Sequence, residues 1–200
     1  EVRALTFVPD RQGQTTAGGT VTYTHTLTNT GNVTEGAGGA GQSTLPVSVT
    51  STLSGVTTSV YVDLNNNGIA DANELVTGND LTALLAGTPG GAGLQPGESV
   101  SIIVKVQAPA GATAGQKDLS TITVTPTGAI NGEPASPAVK VEDTTTIIDT
   151  GNFTLVKTQA LDAACDGTPD TAFGGAVIQA KPGACIVYKI DATNNTTTPV

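Results

Sequence analysis

Residues Gly18 to Asn29 read GGTVTYTHTLTN, and their alternation decides the fold. In an extended strand Val21, Tyr23, His25 and Leu27 lie on one face, and Thr20, Thr22, Thr24, Thr26 and Thr28 on the other. The threonine face tolerates water, whereas the Val-Tyr-His-Leu face demands a core. Similar runs recur at Val2–Val8, Thr44–Leu53, Thr58–Asp63, Ser99–Gln107, Leu119–Thr125 and Ala138–Ile148, with turn residues between them. Such spacing predicts an all-β fold, an antiparallel sandwich of seven strands in roughly 150 residues.

Composition agrees. Aromatic residues are 3 % of the 200, Met and Trp are absent, and Thr, Gly, Ala and Val dominate. Small residues of this kind suit sheets with thin cores and disfavour an aromatic-lined enzyme cleft. Seventeen acids oppose eight Lys and Arg, a formal charge of −9. That field repels a phosphate backbone, so nucleic acid is not an expected partner, whereas divalent cations are attracted. No apolar run is long enough for a transmembrane helix, and no signal peptide stands at the N-terminus. The opening Glu1 in place of Met points to a processed or excised chain, with export inferred from composition, cysteines and the acidic loop at Asp63–Glu74.

The most specific chemical signal is DLNNNGIADANE, Asp63 to Glu74. Oxygen side chains occupy positions one (Asp63), three (Asn65), five (Asn67), nine (Asp71) and twelve (Glu74) of an EF-hand-type calcium loop. Gly68 stands at the sharp sixth position, and Ile69 offers its carbonyl at the seventh. Hard oxygen ligands without His or Cys select calcium (Ca2+) over transition metals. Asn at positions three and five dilutes the charge, so the expected dissociation constant is roughly 0.1 to 1 mM. A plain Asn-Gly turn is the alternative, although it needs neither Asp71 nor Glu74. Before the loop, Ser59–Asp63 alternates as a strand. After it, Asn79 or Asp80 is placed to cap a short helix through Leu81, Leu84 and Leu85.

Two glycine-rich stretches, Gly36–Gly41 and Gly87–Gly93, read as loops without a phosphate-cradle signature. Cys165 and Cys185 are predicted to form a disulfide closing a loop of about twenty residues, worth about 3 kcal/mol. Two buried free thiols are the alternative, and the disulfide implies an oxidising compartment.

Setting Tyr23 against Tyr188 aligns GGTVTYTHTLTN with GACIVYKIDATN at Gly183–Asn194. One strand in two copies implies two related modules, at 1–150 and 151–200. The second opens with GNFTLVKTQA at Gly151–Ala160 and contains only about three strands. It is therefore expected to continue in a longer chain or to be completed by another subunit.

GGTVTYTHTLTNTGN (Gly18–Asn32), LQPGESVSIIVKVQAPAGATAG (Leu94–Gly115) and KPGACIVYKIDATNNTTTPV (Lys181–Val200) resemble the Ig-like "domain of unknown function eleven" conserved-repeat family of bacterial surface proteins. The resemblance implies tandem Ig-like sandwiches, secreted or on the cell surface, in surface-layer or filament-type proteins. Partners would be neighbouring surface-protein subunits or further copies of the chain. The calcium loop is not a defining feature of that family and stands on its own spacing.

No enzymatic activity is expected. His25 is the only histidine, and it shares a core-facing strand side with Val21, Tyr23 and Leu27, which favours packing over a triad. Outside the calcium loop the acids are scattered, with few aromatic rings to stack a sugar. Lys157 and Asn194 are conceivable isopeptide partners. Asn32, Asn152, Asn194 and Asn195 begin sequons of the type that arises readily in a Thr-rich chain. The sequence thus predicts a calcium-stabilised, self-assembling structural module; the competing class is an adhesin whose glycine-rich loops bind a glycan or protein.

Overall fold

A computed structural model describes residues 1–86, 91–149 and 153–194, which form two compact units, Glu1–Ile148 and Asp149–Val200. Two of the four sequon asparagines, Asn152 and Asn195, and residues 87–90 of the second glycine-rich stretch lie outside the described residues.

The first unit is an all-β sandwich. Its strands are β1 (Leu5–Val8), β2 (Arg11–Thr16), β3 (Thr20–Asn29), β4 (Val47–Ser51), β5 (Thr57–Asp63), β6 (Ser99–Gln107), β7 (Lys117–Val124) and β8 (Val139–Ile148). One sheet has the order β1-β3-β6-β5 and is antiparallel throughout. The other has the order β2-β8-β7-β4, with β2 parallel to β8 and the remaining pairs antiparallel.

The expected antiparallel β-sandwich is present, with one parallel pair at its edge that adds an eighth strand to the seven expected. β2 reads RQGQTT and lacks the apolar alternation that marks a strand in sequence. It is an edge strand held by backbone ladder bonds from Arg11↔Asp143 to Thr16↔Ile148. The chain leaves the first sheet at Val8, turns through a cis Val8–Pro9 peptide and enters the second sheet at Arg11.

The core lies between the sheets as the alternation requires. Leu27, Val62, Ile102, Val104, Ile122 and Val124 are buried within it. Each such aliphatic side chain contributes about 1.5–3 kcal/mol on leaving water. Tyr23 and His25 are buried on the same face of β3 while its threonines face outward. His25 is structural: Nδ1 lies 2.8 Å from the Pro9 carbonyl and Nε2 lies 2.9 Å from Asp143 Oδ2. Asp143 Oδ1 also accepts the Arg11 N–H at 3.2 Å, so one buried network ties β3 to both strands of the parallel pair. Tyr23 donates its hydroxyl to the Thr144 carbonyl at 3.1 Å and meets Thr145 Oγ1 at 2.7 Å.

The second unit contains an antiparallel pair, β9 (Phe153–Asp162) and β10 (Cys185–Asn194). Its register repeats that of β1 and β3. Leu5 pairs with Asn29 and Phe7 with Leu27; correspondingly Phe153 pairs with Asn194 and Leu155 with Ala192. The internal repeat is therefore one of strand pairing as well as of sequence. The disulfide Cys165–Cys185 is present.

Lys157 stands opposite Ile190, four residues from Asn194 on the ladder, about 13 Å away at the rise of a strand. The pair considered for an isopeptide bond is thus not brought together. Lys157 Nζ instead lies 4.2 Å from the centroid of the Tyr188 ring.

Candidate functional site

β5 delivers Asp63 to the start of the acidic loop, and the chain returns beside the same strand. Val76 N–H donates to the Val60 carbonyl at 2.9 Å, and Tyr61 bridges Leu75. The loop is thereby clamped at its neck. The helix after it is a single turn, Thr82–Leu85, with Asp80 Oδ1 accepting the Thr82 N–H at 2.9 Å.

Within the loop Asp63 works as a backbone chelator. Its Oδ1 accepts the Asn67 N–H at 3.1 Å and its Oδ2 the Gly68 N–H at 3.0 Å. Asn66 and Gly68 take the left-handed turn this requires, with φ of 55° and 72°. Asn65 Oδ1 accepts from Asn67 N–H at 2.9 Å, and Asn67 Oδ1 from Ile69 N–H at 2.7 Å. The amide groups of Asn65 and Asn67 both donate to Asp71 Oδ2 at 3.0 Å. Glu74 ends a 3-10 turn, Ala72–Glu74, and reaches back: Oε1 accepts from Leu64 N–H at 2.9 Å and Oε2 from Asp71 N–H at 3.3 Å. Ile69 is exposed, so its side chain takes no part in the core.

Asp63, Asn65, Asn67, Asp71 and Glu74 are thus drawn into one hydrogen-bonded loop. Their carboxylates do not converge, however: among the described residues no three His, Cys, Asp or Glu groups stand together as a metal cluster. Two asparagine amides lie between the acids and occupy Asp71. The donor chemistry nonetheless fits a hard cation. Asp63 is 3 % exposed and Glu74 0 %, and both meet backbone N–H groups alone among the described residues. Of the other buried acids, Glu35 pairs with Arg3 at 2.7 Å and Asp143 lies 2.9 Å from His25 Nε2, while Asp118 accepts from the Leu53 N–H at 2.9 Å and the Ser120 hydroxyl at 2.6 Å. Carboxylates removed from water without a counter-charge are costly, and a cation relieves that cost.

A second loop of this kind was not singled out in the sequence. Asp162, at the end of β9, is 2 % exposed and accepts the Asp166 N–H at 3.2 Å and the Gly167 N–H at 2.9 Å. Asp166 Oδ1 accepts from Thr168 N–H at 2.8 Å, and Asp170 Oδ2 from Ala163 N–H at 2.7 Å. The signal was there in D-x-x-x-D-G-x-x-D, Asp162 to Asp170, but Ala164 and Phe173 replace the third and twelfth ligands. The twelve-residue calcium spacing is therefore incomplete there.

No family model matches the chain, and no curated protein matches it. Among solved structures it is similar to AvmM, which catalyses macrocyclisation in alchivemycin A biosynthesis, with TM-score 0.42, 16 % identity, 75 % of this chain and 90 % of that chain covered. It is also similar to a family 123 glycoside hydrolase from Clostridium perfringens, with TM-score 0.40 and 8 % identity over 74 % of this chain and 27 % of that one. The chain thus spans about a quarter of the length of the hydrolase. Likeness at this level carries no assignment of activity. No helix among the described residues is long and apolar enough to cross a membrane.

Proposed function

We propose that the chain is a non-enzymatic structural module of a secreted or cell-surface bacterial protein. It resembles the Ig-like "domain of unknown function eleven" repeats, is stabilised by calcium at Asp63–Glu74, and associates with further copies or neighbouring surface proteins. The observation that carries this reading is the burial of Asp63 and Glu74 with only amide donors for company. The repeated register of β1–β3 and β9–β10 supports tandem modules, and the net charge of −9 supports a calcium-rich, extracellular setting.

The residues that would hold the ion are Asp63, Asn65, Asn67, Asp71, Glu74 and the Ile69 carbonyl. Calcium, when bound, supplies positive charge to a repulsive acidic loop. Asn65 and Asn67 would each offer an amide oxygen in place of the N–H that they give Asp71. Asp63 and Glu74 keep the backbone frame in place from either end, so binding fixes β5 and the Tyr61–Leu75 neck.

Thermal unfolding in millimolar calcium and in excess chelator tests the reading. The expected gain is about 1.4 kcal/mol at ten times the dissociation constant. Superimposable melting curves, with no heat of calcium binding by calorimetry, would overturn it.

A further inference from the structure

An asparagine followed by glycine leaves its side-chain amide open to attack by the next backbone nitrogen, because glycine places no side chain in the way. The chain has two such pairs, Asn67–Gly68 in the acidic loop and Asn131–Gly132 in the turn between β7 and β8. Both are exposed, so water reaches both. Both amide nitrogens donate to a carboxylate, Asn67 Nδ2 to Asp71 Oδ2 at 3.0 Å and Asn131 Nδ2 to Glu1 Oε1 at 2.8 Å. Neither exposure nor that bond separates them.

The bonds on the reacting atoms do. Asn67 Oδ1 accepts the Ile69 N–H at 2.7 Å, a donor standing where negative charge develops when this carbonyl is attacked. The Gly68 N–H donates to Asp63 Oδ2 at 3.0 Å, so the attacking nitrogen is polarised by a buried carboxylate. At Asn131 the side-chain oxygen and the Gly132 N–H have no partner among the described residues. Asn131 is instead held at φ 51° in a turn closed twice, by Ile130 N–H on the Glu133 carbonyl at 3.1 Å and Glu133 N–H on the Ile130 carbonyl at 2.8 Å.

We propose that Asn67–Gly68 is a self-modifying site, in which the loop's own hydrogen bonds activate the asparagine amide toward the glycine nitrogen and calcium holds the reaction back. The bond from Gly68 N to Asn67 Cγ forms, the Cγ–Nδ2 bond breaks, and Nδ2 leaves as ammonia with the Gly68 proton. Water then opens the cyclic imide. Cleavage at Cγ leaves aspartate at position 67, and cleavage at the backbone carbonyl leaves isoaspartate, whose main chain runs through Cβ. Aspartate adds a charge to the fifth position of the donor set, and charge count tunes calcium affinity. Isoaspartate lengthens the backbone between Asp63 and Glu74 and breaks the frame. Control by calcium rests on the calcium reading above. With Asn67 Oδ1 and Asp63 both turned toward an ion, the hydrogen bonds that activate the amide and the nitrogen are given up, and Cγ is kept from Gly68.

Incubation of the full chain in excess chelator, or in calcium at ten times the dissociation constant found by calorimetry, tests this. Peptide mapping by mass spectrometry with enzymatic methylation of isoaspartate follows both sites, so Asn131 is a clock within the same molecule. In chelator Asn67 should lose ammonia about tenfold or more faster than Asn131. Calcium should slow Asn67 about tenfold, since about a tenth of the chain stays free, and leave Asn131 unchanged. Gly68→Ala should abolish the loss at Asn67 alone; a Cβ there meets nothing within 4 Å, and a melting curve confirms that the variant folds. Loss at Asn67 no faster than at Asn131, or loss that survives Gly68→Ala, overturns the site. Calcium that raises the melting temperature without slowing Asn67 overturns the control by calcium and leaves the calcium reading standing. Calcium that does neither overturns both, while the chelator arm still decides the site itself.

Discussion

At the end of β5, Asp63 gathers the N–H groups of Asn67 and Gly68; at the end of β9, Asp162 gathers those of Asp166 and Gly167. The fourth residue of each loop, Asn66 and Cys165, is left-handed, with φ of 55° and 57°, and the glycines follow at 72° and 87°. One backbone frame has formed twice, although the strands feeding it are not counterparts in the repeat. What differs is the closure. Glu74 closes the first loop by accepting Leu64 N–H, whereas Asp170, three positions earlier in its loop, does so in the second. The fourth position of the second loop is also covalently tied to β10 through Cys165–Cys185. The buried Asp therefore makes the turn, and the closing residues decide what staples it. The first loop is closed by the Glu74 carboxylate alone, and the second by Asp170 with a disulfide beside it.

The largest effect should come from removing that disulfide. Reduction, or Cys165→Ser with Cys185→Ser, frees a loop spanning twenty residues of sequence separation. The chain-entropy estimate is about 3 kcal/mol. Hydrogen exchange should rise through Ala163–Asp170 and along β10 while the amides of Asn67, Gly68 and Ile69 keep their protection. Unchanged exchange in the second loop would show that Asp162 holds it unaided and break the contrast.

Next come the two chelating acids. Asp63→Ala leaves the Gly68 N–H without its acceptor, Asn67 N–H keeping Asn65 Oδ1, and Asp162→Ala leaves the Asp166 and Gly167 N–H groups without theirs, at a cost of about 1 kcal/mol per lost bond. Urea unfolding should report the first as a loss in the sandwich and the second as a loss in the smaller unit. If the losses are equal before reduction and the second grows after it, the disulfide and the aspartate share the load in the second loop.

These pairs also explain how much was legible beforehand. β3 and β6 could be read because alternate residues suited to a core announce a strand with one covered face, although Ile103 on the opposite face of β6 is buried as well. β2 could not, since an edge strand is held by main-chain bonds and RQGQTT carries no face to bury. The first acidic loop was legible because ligand spacing is written in side chains. What the spacing left out was competition: Asn65 and Asn67 have N–H donors as well as oxygens, and both point to Asp71. The second loop was missed for the converse reason. Its frame depends on backbone N–H groups that any residue supplies, and only Asp162, Asp166, Gly167 and Asp170 mark it. His25 was legible as a packed residue, but its partner Asp143 lies 118 positions away and no local pattern links them.

Calcium sharpens the comparison at a smaller scale. Glu74→Gln removes the twelfth ligand's charge, and the calcium-induced gain of about 1.4 kcal/mol at ten times the dissociation constant should vanish. Conversely, Ala164→Asp combined with Phe173→Glu completes the donor set of the second loop. Calorimetry should then record a second binding event, and retention of a single event would mean that side-chain spacing alone does not make this frame a site.

Tyr23 and Tyr188, aligned by the repeat, separate the two units most finely. Tyr23 is buried beneath the second sheet, and burial pushes its phenol above the ordinary value, with Asp143 and Asp118 adding to the rise and the Thr145 hydroxyl bond opposing it. Tyr188 is exposed. Because the folded form of Tyr23 holds its proton more tightly than the unfolded chain does, its contribution is intact below the unfolded value of about 10. It is then lost as pH rises through the higher folded value. Unfolding of the sandwich followed from pH 8 to 12 should therefore show stability falling above about pH 10. Tyr23→Phe should flatten that slope, while costing about 1 kcal/mol at neutral pH through the lost bonds to Thr144 and Thr145. A slope that survives Tyr23→Phe would assign the alkaline loss to other groups and remove this distinction between the covered strand and its exposed copy.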